Sequence, residues 1–197
     1  MRILLAALLA AGAGCRRAAP ASAPAGAPAA PDSASVAMTA YDAPSGGFRC
    51  LAPASWKLLE DSALGPDEVS FLDSSAASAG RDVRISISRY PNAVDRYVDA
   101  DAYLRALVQP DGRPIRAESE EVGGRRVTRF ELERPFKSLH SSRERYLERE
   151  SVALVPAPGG FFRLEHVAPA ADAARTRPAF EALLRSFEPK APPSGRP

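Results

Sequence analysis

The chain has 197 residues, of which 26 are basic and 24 acidic, with two histidines and two cysteines. A charge balance this close to neutral, with no basic block, argues against nucleic acid as the main partner. Once an apolar leader and two low-complexity ends are set aside, about 150 residues remain, which is one domain with room for a core that needs no disulfide staples.

The leader comes first. Arg2 supplies a minimal positive region, and Ile3 to Ala11 is an unbroken run of Ile, Leu and Ala. That run is far short of the ~20 apolar residues that cross a bilayer. Followed by small residues, it reads as an export signal covering residues 1–14. Gly12-Ala13-Gly14-Cys15 resembles the lipobox of bacterial lipoproteins, with Gly12 where that family usually has Leu. The resemblance implies cleavage before Cys15, a diacylglyceryl group on its sulfur, and an exported protein held to a membrane, facing the periplasm or the cell surface. The same letters leave an alternative open, because Ala11-Gly12-Ala13 fits an ordinary signal-peptidase site that would release a soluble product.

Residues 15–38 are mostly Ala, Pro, Ser and Gly. They lack the aromatic and branched side chains that offset the entropy of ordering, so a disordered tether is expected. Its recurrent Ala-Pro favours extended geometry at roughly 3 Å per residue. Arg16 and Arg17 either meet anionic headgroups beside the anchor or are incidental. Residues 191–197 form a second short tail of the same character.

The domain, residues 39–190, opens with short extended segments at Thr39–Asp42 and Phe48–Ala52, flanking a Pro-Ser-Gly-Gly turn. Alternation puts Cys50 with Phe48 and Ala52, as a small buried hydrophobe. If Cys15 carries no lipid, a Cys15–Cys50 disulfide is open to it in an oxidising compartment. Trp56, Leu58 and Leu59 are expected against the core edge. Strands follow at Glu68–Asp73 and Asp82–Tyr90, where Val83, Ile85 and Ile87 alternate with polar residues. Asp99 can cap a helix whose apolar stripe is Leu104, Leu107 and Val108.

Two glycine-turn hairpins come next, Ile115–Val122 with Arg125–Glu133, and Arg143–Val155 with Phe161–Ala168. A closing helix is expected from Thr176, with Thr176 as cap, Pro178 in its first turn and Phe180, Leu183, Leu184 and Phe187 on one face. Hairpins dictate an antiparallel sheet of about six to seven strands, and the helices must cover it. The fold class is therefore α+β.

Three groups of residues carry a resemblance across about residues 40–190. They are Gly47-Phe48-Arg49-Cys50-Leu51-Ala52-Pro53-Ala54-Ser55-Trp56, then Asp101-Ala102-Tyr103-Leu104, and the closing Phe180–Phe187 with its Leu184-Arg185-Ser186-Phe187 end. Together they are similar to the PsbP-like family. The resemblance implies an α/β/α sandwich with a central antiparallel sheet, in a family that is generally non-catalytic. No binding motif of that family can be matched here, so no site residue is carried over.

A search for chemistry finds little. With only His140 and His166, and no Cys/His cluster, no metal or cofactor is expected. His166 shares a strand face with Phe162 and Leu164, which fits a half-buried structural histidine. His140 lies among Ser138, Ser141 and Ser142, but nearness along a loop does not make a catalytic dyad, and no G-x-S-x-G elbow occurs. Asp95, Asp99 and Asp101 lack the order of a calcium loop. The charged strand Arg143–Glu150 reads as a solvated edge that resists aggregation. With Arg125, Arg126 and Arg129 it could instead form a polar docking surface.

Three functions are weighed. The first is a non-catalytic lipoprotein of the cell envelope that binds a protein partner or assists an assembly, held to the membrane by lipid on Cys15. The second is a binding protein for a small apolar or lipid ligand, lodged in a preformed pocket between sheet and helix. The third is an unrecognised hydrolase, which would need a histidine, a serine and a carboxylate to converge in a cleft.

Overall fold

The computed structural model describes residues 36–60, 68–78, 81–91, 97, 99–108, 112–137 and 145–191. The leader, most of the tether, Cys15, Asp95 and His140 lie outside the described residues.

In chain order the elements are β1 (Met38–Asp42), β2 (Phe48–Pro53), β3 (Lys57–Glu60), β4 (Val69–Leu72), α1 (Ser74–Ser78), β5 (Arg84–Pro91) and α2 (Ala100–Ala106). They continue with β6 (Glu118–Val122), β7 (Arg125–Lys137), β8 (Arg145–Ala157), β9 (Gly160–Pro169), α3 (Ala170–Ser186) and β10 (Glu188–Pro189). The main sheet has seven strands in the order β3-β4-β5-β9-β8-β7-β6. It consists of two antiparallel meanders, β3–β5 and β6–β9, joined where β5 pairs antiparallel with β9. A second sheet, β1-β2-β10, is assembled from the two ends of the domain. The α+β class with a central antiparallel sheet is as the hairpin pattern implied, while the second sheet escaped it, because β10 is only two residues long.

Alternation along the strands separates two apolar clusters. On one face Phe71, Ile85, Ile87, Leu164 and Phe162 meet Phe48, Cys50 and Ala52 of β2 and Phe180, Leu183, Leu184 and Phe187 at the end of the chain. Phe187 stacks on Phe48 at 5.2 Å and lies edge-on to Phe162 at 5.2 Å. On the other face Tyr103 of α2 packs with Phe130, Leu132, Val152, Leu154 and Phe161. Cys50 is buried and free, and burial pushes its thiol up to about 12, so it is an inert core group.

Several expectations are corrected. The last helix starts at Ala170, six residues earlier than its cap-like Thr-x-Pro suggested, because Ala170-Ala171-Asp172-Ala173-Ala174 is itself strongly helix-forming. Thr176 is no cap. It is fully buried inside α3, its hydroxyl donating to the Asp172 carbonyl at 3.1 Å. Pro178 consequently sits in the helix interior, where it cannot donate a bond to Ala174. Trp56 is buried as expected, but Leu58 and Leu59 are 39% and 40% exposed, because they belong to the outermost strand of the main sheet. Val108 lies beyond the end of α2 and is 62% exposed.

The charged strand is an edge only in its first part. From Glu148 to Leu154 β8 is hydrogen-bonded on both sides, to β7 and to β9. Only Arg145–Leu147 pair with β7 alone. Prolines respect the same accounting. Pro135 lies in the part of β7 that β6 does not reach, so its missing N–H falls on an open edge.

Candidate functional site

The long strands β7, β8 and β9 carry charges on the α2 face of the sheet, just beyond the aromatic cluster. Glu150 and Glu165 are 5% and 8% exposed. They stand on neighbouring strands two positions out of direct register, since Glu150 opposes Val167 and Glu165 opposes Val152. Arg163 lies between them. Its Nη2 donates to Glu150 Oε1 at 2.8 Å and is 2.6 Å from Glu165 Oε1. Arg134 of β7 pairs with the other oxygen of Glu150. The row continues across β5 and β4, where Ser86 stands opposite Glu165 and hydrogen-bonds Ser70 at 2.9 Å between hydroxyl oxygens.

Burial, and then the hydrogen bond with Glu165, push Glu150 up to about 7. Burial also opposes ionisation of Glu165, but the bond from Glu150 and the charge of Arg163 outweigh it and hold Glu165 below the usual range. One buried guanidinium therefore serves two buried carboxyls, an arrangement suited to holding a proton. Glu148, on the same face, is also raised, chiefly by burial.

A second feature of this face is a cleft of about 510 Å³ outside α2, lined by Leu104, Leu107, Val108, Pro114 and Ile115, with Asp101 and Arg105 at its margin. Two of its lining residues, Val108 and Pro114, are joined by an antiparallel bridge.

Residues singled out from sequence are dispersed. His166 is 1% exposed, shares a 2.9 Å hydrogen bond with Thr176 through Nε2, and stacks on Phe180 at 5.7 Å. Burial, helped by the charge of Arg177, lowers it to about 4, so it is a neutral core histidine. Asp99 caps α2, accepting from the Ala102 N–H at 2.7 Å, and Asp101 sits exposed in its first turn. Arg129 is no free docking cation. It is held by Glu120 at 2.7 Å and by Glu181 at 2.5 Å on the opposite face, above Phe180. Among the described residues no group of three or more His, Cys, Asp or Glu could hold a metal.

The Glu150–Arg163–Glu165 network was missed. Its only signal was the pair of charges two apart in Phe161-Phe162-Arg163-Leu164-Glu165-His166, which puts both on one face of a strand apolar on the other.

No family model and no curated protein matches the chain. Among solved structures it is similar to cyanobacterial PsbP from Synechocystis sp. PCC 6803, at 12% identity and a TM-score of 0.48, covering 79% of this chain and 94% of that one. It is likewise similar to LpqN, described as involved in cell envelope biogenesis of Mycobacterium tuberculosis, at 14% identity and a TM-score of 0.48, covering 79% and 91%. A Bacteroides thetaiotaomicron protein matches at 13% identity and a TM-score of 0.48, covering 80% of this chain. The chain spans 50% of that protein's length. Likeness at this level carries no residue and no activity from those proteins to this one.

Proposed function

We propose that the chain is an exported bacterial lipoprotein whose folded part is a non-catalytic, protein-binding module of the cell envelope. The observation that carries this reading is the apolar cleft beside α2, where Val108, at 62%, is the most exposed of the large hydrophobic side chains among the described residues. An apolar concavity on the surface of a filled domain suits a partner that offers an apolar side chain. Hydrolysis finds no support around His166, which Thr176 and Phe180 hold inside the core. The space between α3 and the main sheet is filled by Phe48, Phe162, Phe180 and Phe187, all fully buried. The second reading, a small apolar or lipid ligand, therefore moves from that interior to the outer cleft, whose volume lies within the ~300–1,000 Å³ range of small-molecule sites.

Intact mass and membrane partitioning test the anchor, comparing the protein made in a bacterial host with its Cys15→Ser variant. A lipid-sized mass increment and membrane association, both lost in the variant, are expected. A soluble product cut after Ala13 would overturn the anchor. A photo-crosslinking residue at position 108 tests the module, with crosslinks to a discrete protein band expected in intact cells. Crosslinks to lipid alone would replace this reading with the second.

A further inference from the structure

The buried glutamates have a consequence beyond partner binding, and it does not rest on that reading. Three strands meet there, and among the described residues the charged groups facing the pair can be named. Arg134 comes from β7, Glu148 from β8, and Arg163 from β9. Arg84 at the start of β5 and Asp82 just before it approach from the far side, and Tyr103 of α2 and Tyr90 of β5 face Arg163. Of the cations that touch the two carboxyls, Arg163 is 17% exposed at its side chain and Arg134 is 49% exposed. Arg134 is the more exposed of the two and is partly screened by water, and its charge and that of Arg163 offset burial and the facing Glu165 carboxyl only in part at Glu150. Arg84 is already paired with Asp82. The enclosed charge is therefore one guanidinium against two carboxyls.

We propose that Glu150 and Glu165 share one proton at neutral pH, making the junction of β7, β8 and β9 a pH-sensitive clasp. In the protonated state the Glu150 carboxyl donates to Glu165, while Arg163 bonds both and Arg134 caps the outer oxygen. Loss of the proton leaves two negative carboxylates on the same Arg163 nitrogen, in a site from which both are nearly excluded from water. The clasp yields at Arg134, because the stretch of β7 that carries it pairs with β8 but not with β6.

The sign follows from where the proton is bound. Glu150 binds its proton more tightly folded than unfolded, so the stability it confers is complete below the unfolded carboxyl's range. That stability is lost as pH rises from about 4.5 to about 7. The test is equilibrium urea unfolding of the full chain between pH 4.5 and 8, beside Glu150→Gln, which keeps the shape of the protonated side chain. Across that range the unfolding constant of the wild type should rise at least tenfold relative to the variant's, and the variant should be the more resistant protein at pH 8. Parallel profiles would overturn the proposal. If Glu150→Gln does not fold, carbon-detected NMR titration of the wild-type carboxyls decides alone. A Glu150 carboxyl titrating near neutrality supports the shared proton, and one titrating in the ordinary carboxylate range overturns it.

Discussion

A fully buried histidine and a buried glutamate bias the molecule's pH response in opposite directions. His166 is held neutral, its folded value near 4 lying below the ordinary 6.5, so the unfolded chain binds its proton first. Its contribution is present above about 6.5 and is lost as pH falls toward 4, while that of Glu150 is lost as pH rises over an overlapping range. The two slopes partly cancel, and a single substitution exposes the other. Relative to His166→Gln, the wild type should lose about 2 kcal/mol between pH 7 and pH 4.5, read from urea midpoints. An equal loss in both proteins would show that His166 does not titrate there. Alternation with Phe162 and Leu164 pointed to a half-buried His166, which is in fact fully buried. Sequence reasoning could not find Thr176 as its partner, because that contact depends on a helix start that local capping signals misplaced. Glu150 was hidden for a related reason. A charged residue in a charged stretch reads as solvated until the neighbouring strand is known.

Among the elements, the two-residue hairpin turns were legible and the strands β3 and β10 were not. Gly123 and Gly124 both have positive φ, at 58° and 74°, as the tight turn between β6 and β7 requires. Gly160 is constrained differently. A Cβ there would lie 2.1 Å from the Tyr90 carbonyl oxygen and 3.0 Å from Pro91 Cα, at the end of the junction between β5 and β9. Gly160→Ala should therefore cost at least about 2 kcal/mol, against about 1 kcal/mol for Gly124→Ala, which has a positive φ but open space. Thermal unfolding of the two variants side by side measures the contrast, and equal losses would mean that β5 can shift to make room. The strand β3 went unrecognised because Lys57-Leu58-Leu59-Glu60 does not alternate and all four residues are exposed, and β10 because it has only two residues. Their existence is decided by the partners β4 and β2.

At the level of the whole molecule, one cluster of buried side chains runs through both sheets and α3, joining Trp56, Phe71, Phe48 and Phe180. Neither sheet can lose its packing alone. Trp56, the only tryptophan, should therefore report the same urea midpoint by fluorescence as the backbone does by far-ultraviolet circular dichroism. Separated midpoints would mean that the small sheet detaches first. The class of the fold was readable because hairpin glycines and alternation are local signals. The joining of the two meanders was not, because β5 finds β9 across a long stretch of chain. That junction also sets the order of events during synthesis. Until residues 160–187 have emerged, β5 offers an open edge and the cluster shared by β2 and β4 lacks Phe162, Leu164, Phe180 and Phe187. A growing chain of this design is left incompletely folded, needs shielding from stray strand pairing, and completes its slow, long-range closure only when nearly whole. Such a chain can still be threaded through a narrow channel, which is the condition that passage across a membrane would impose.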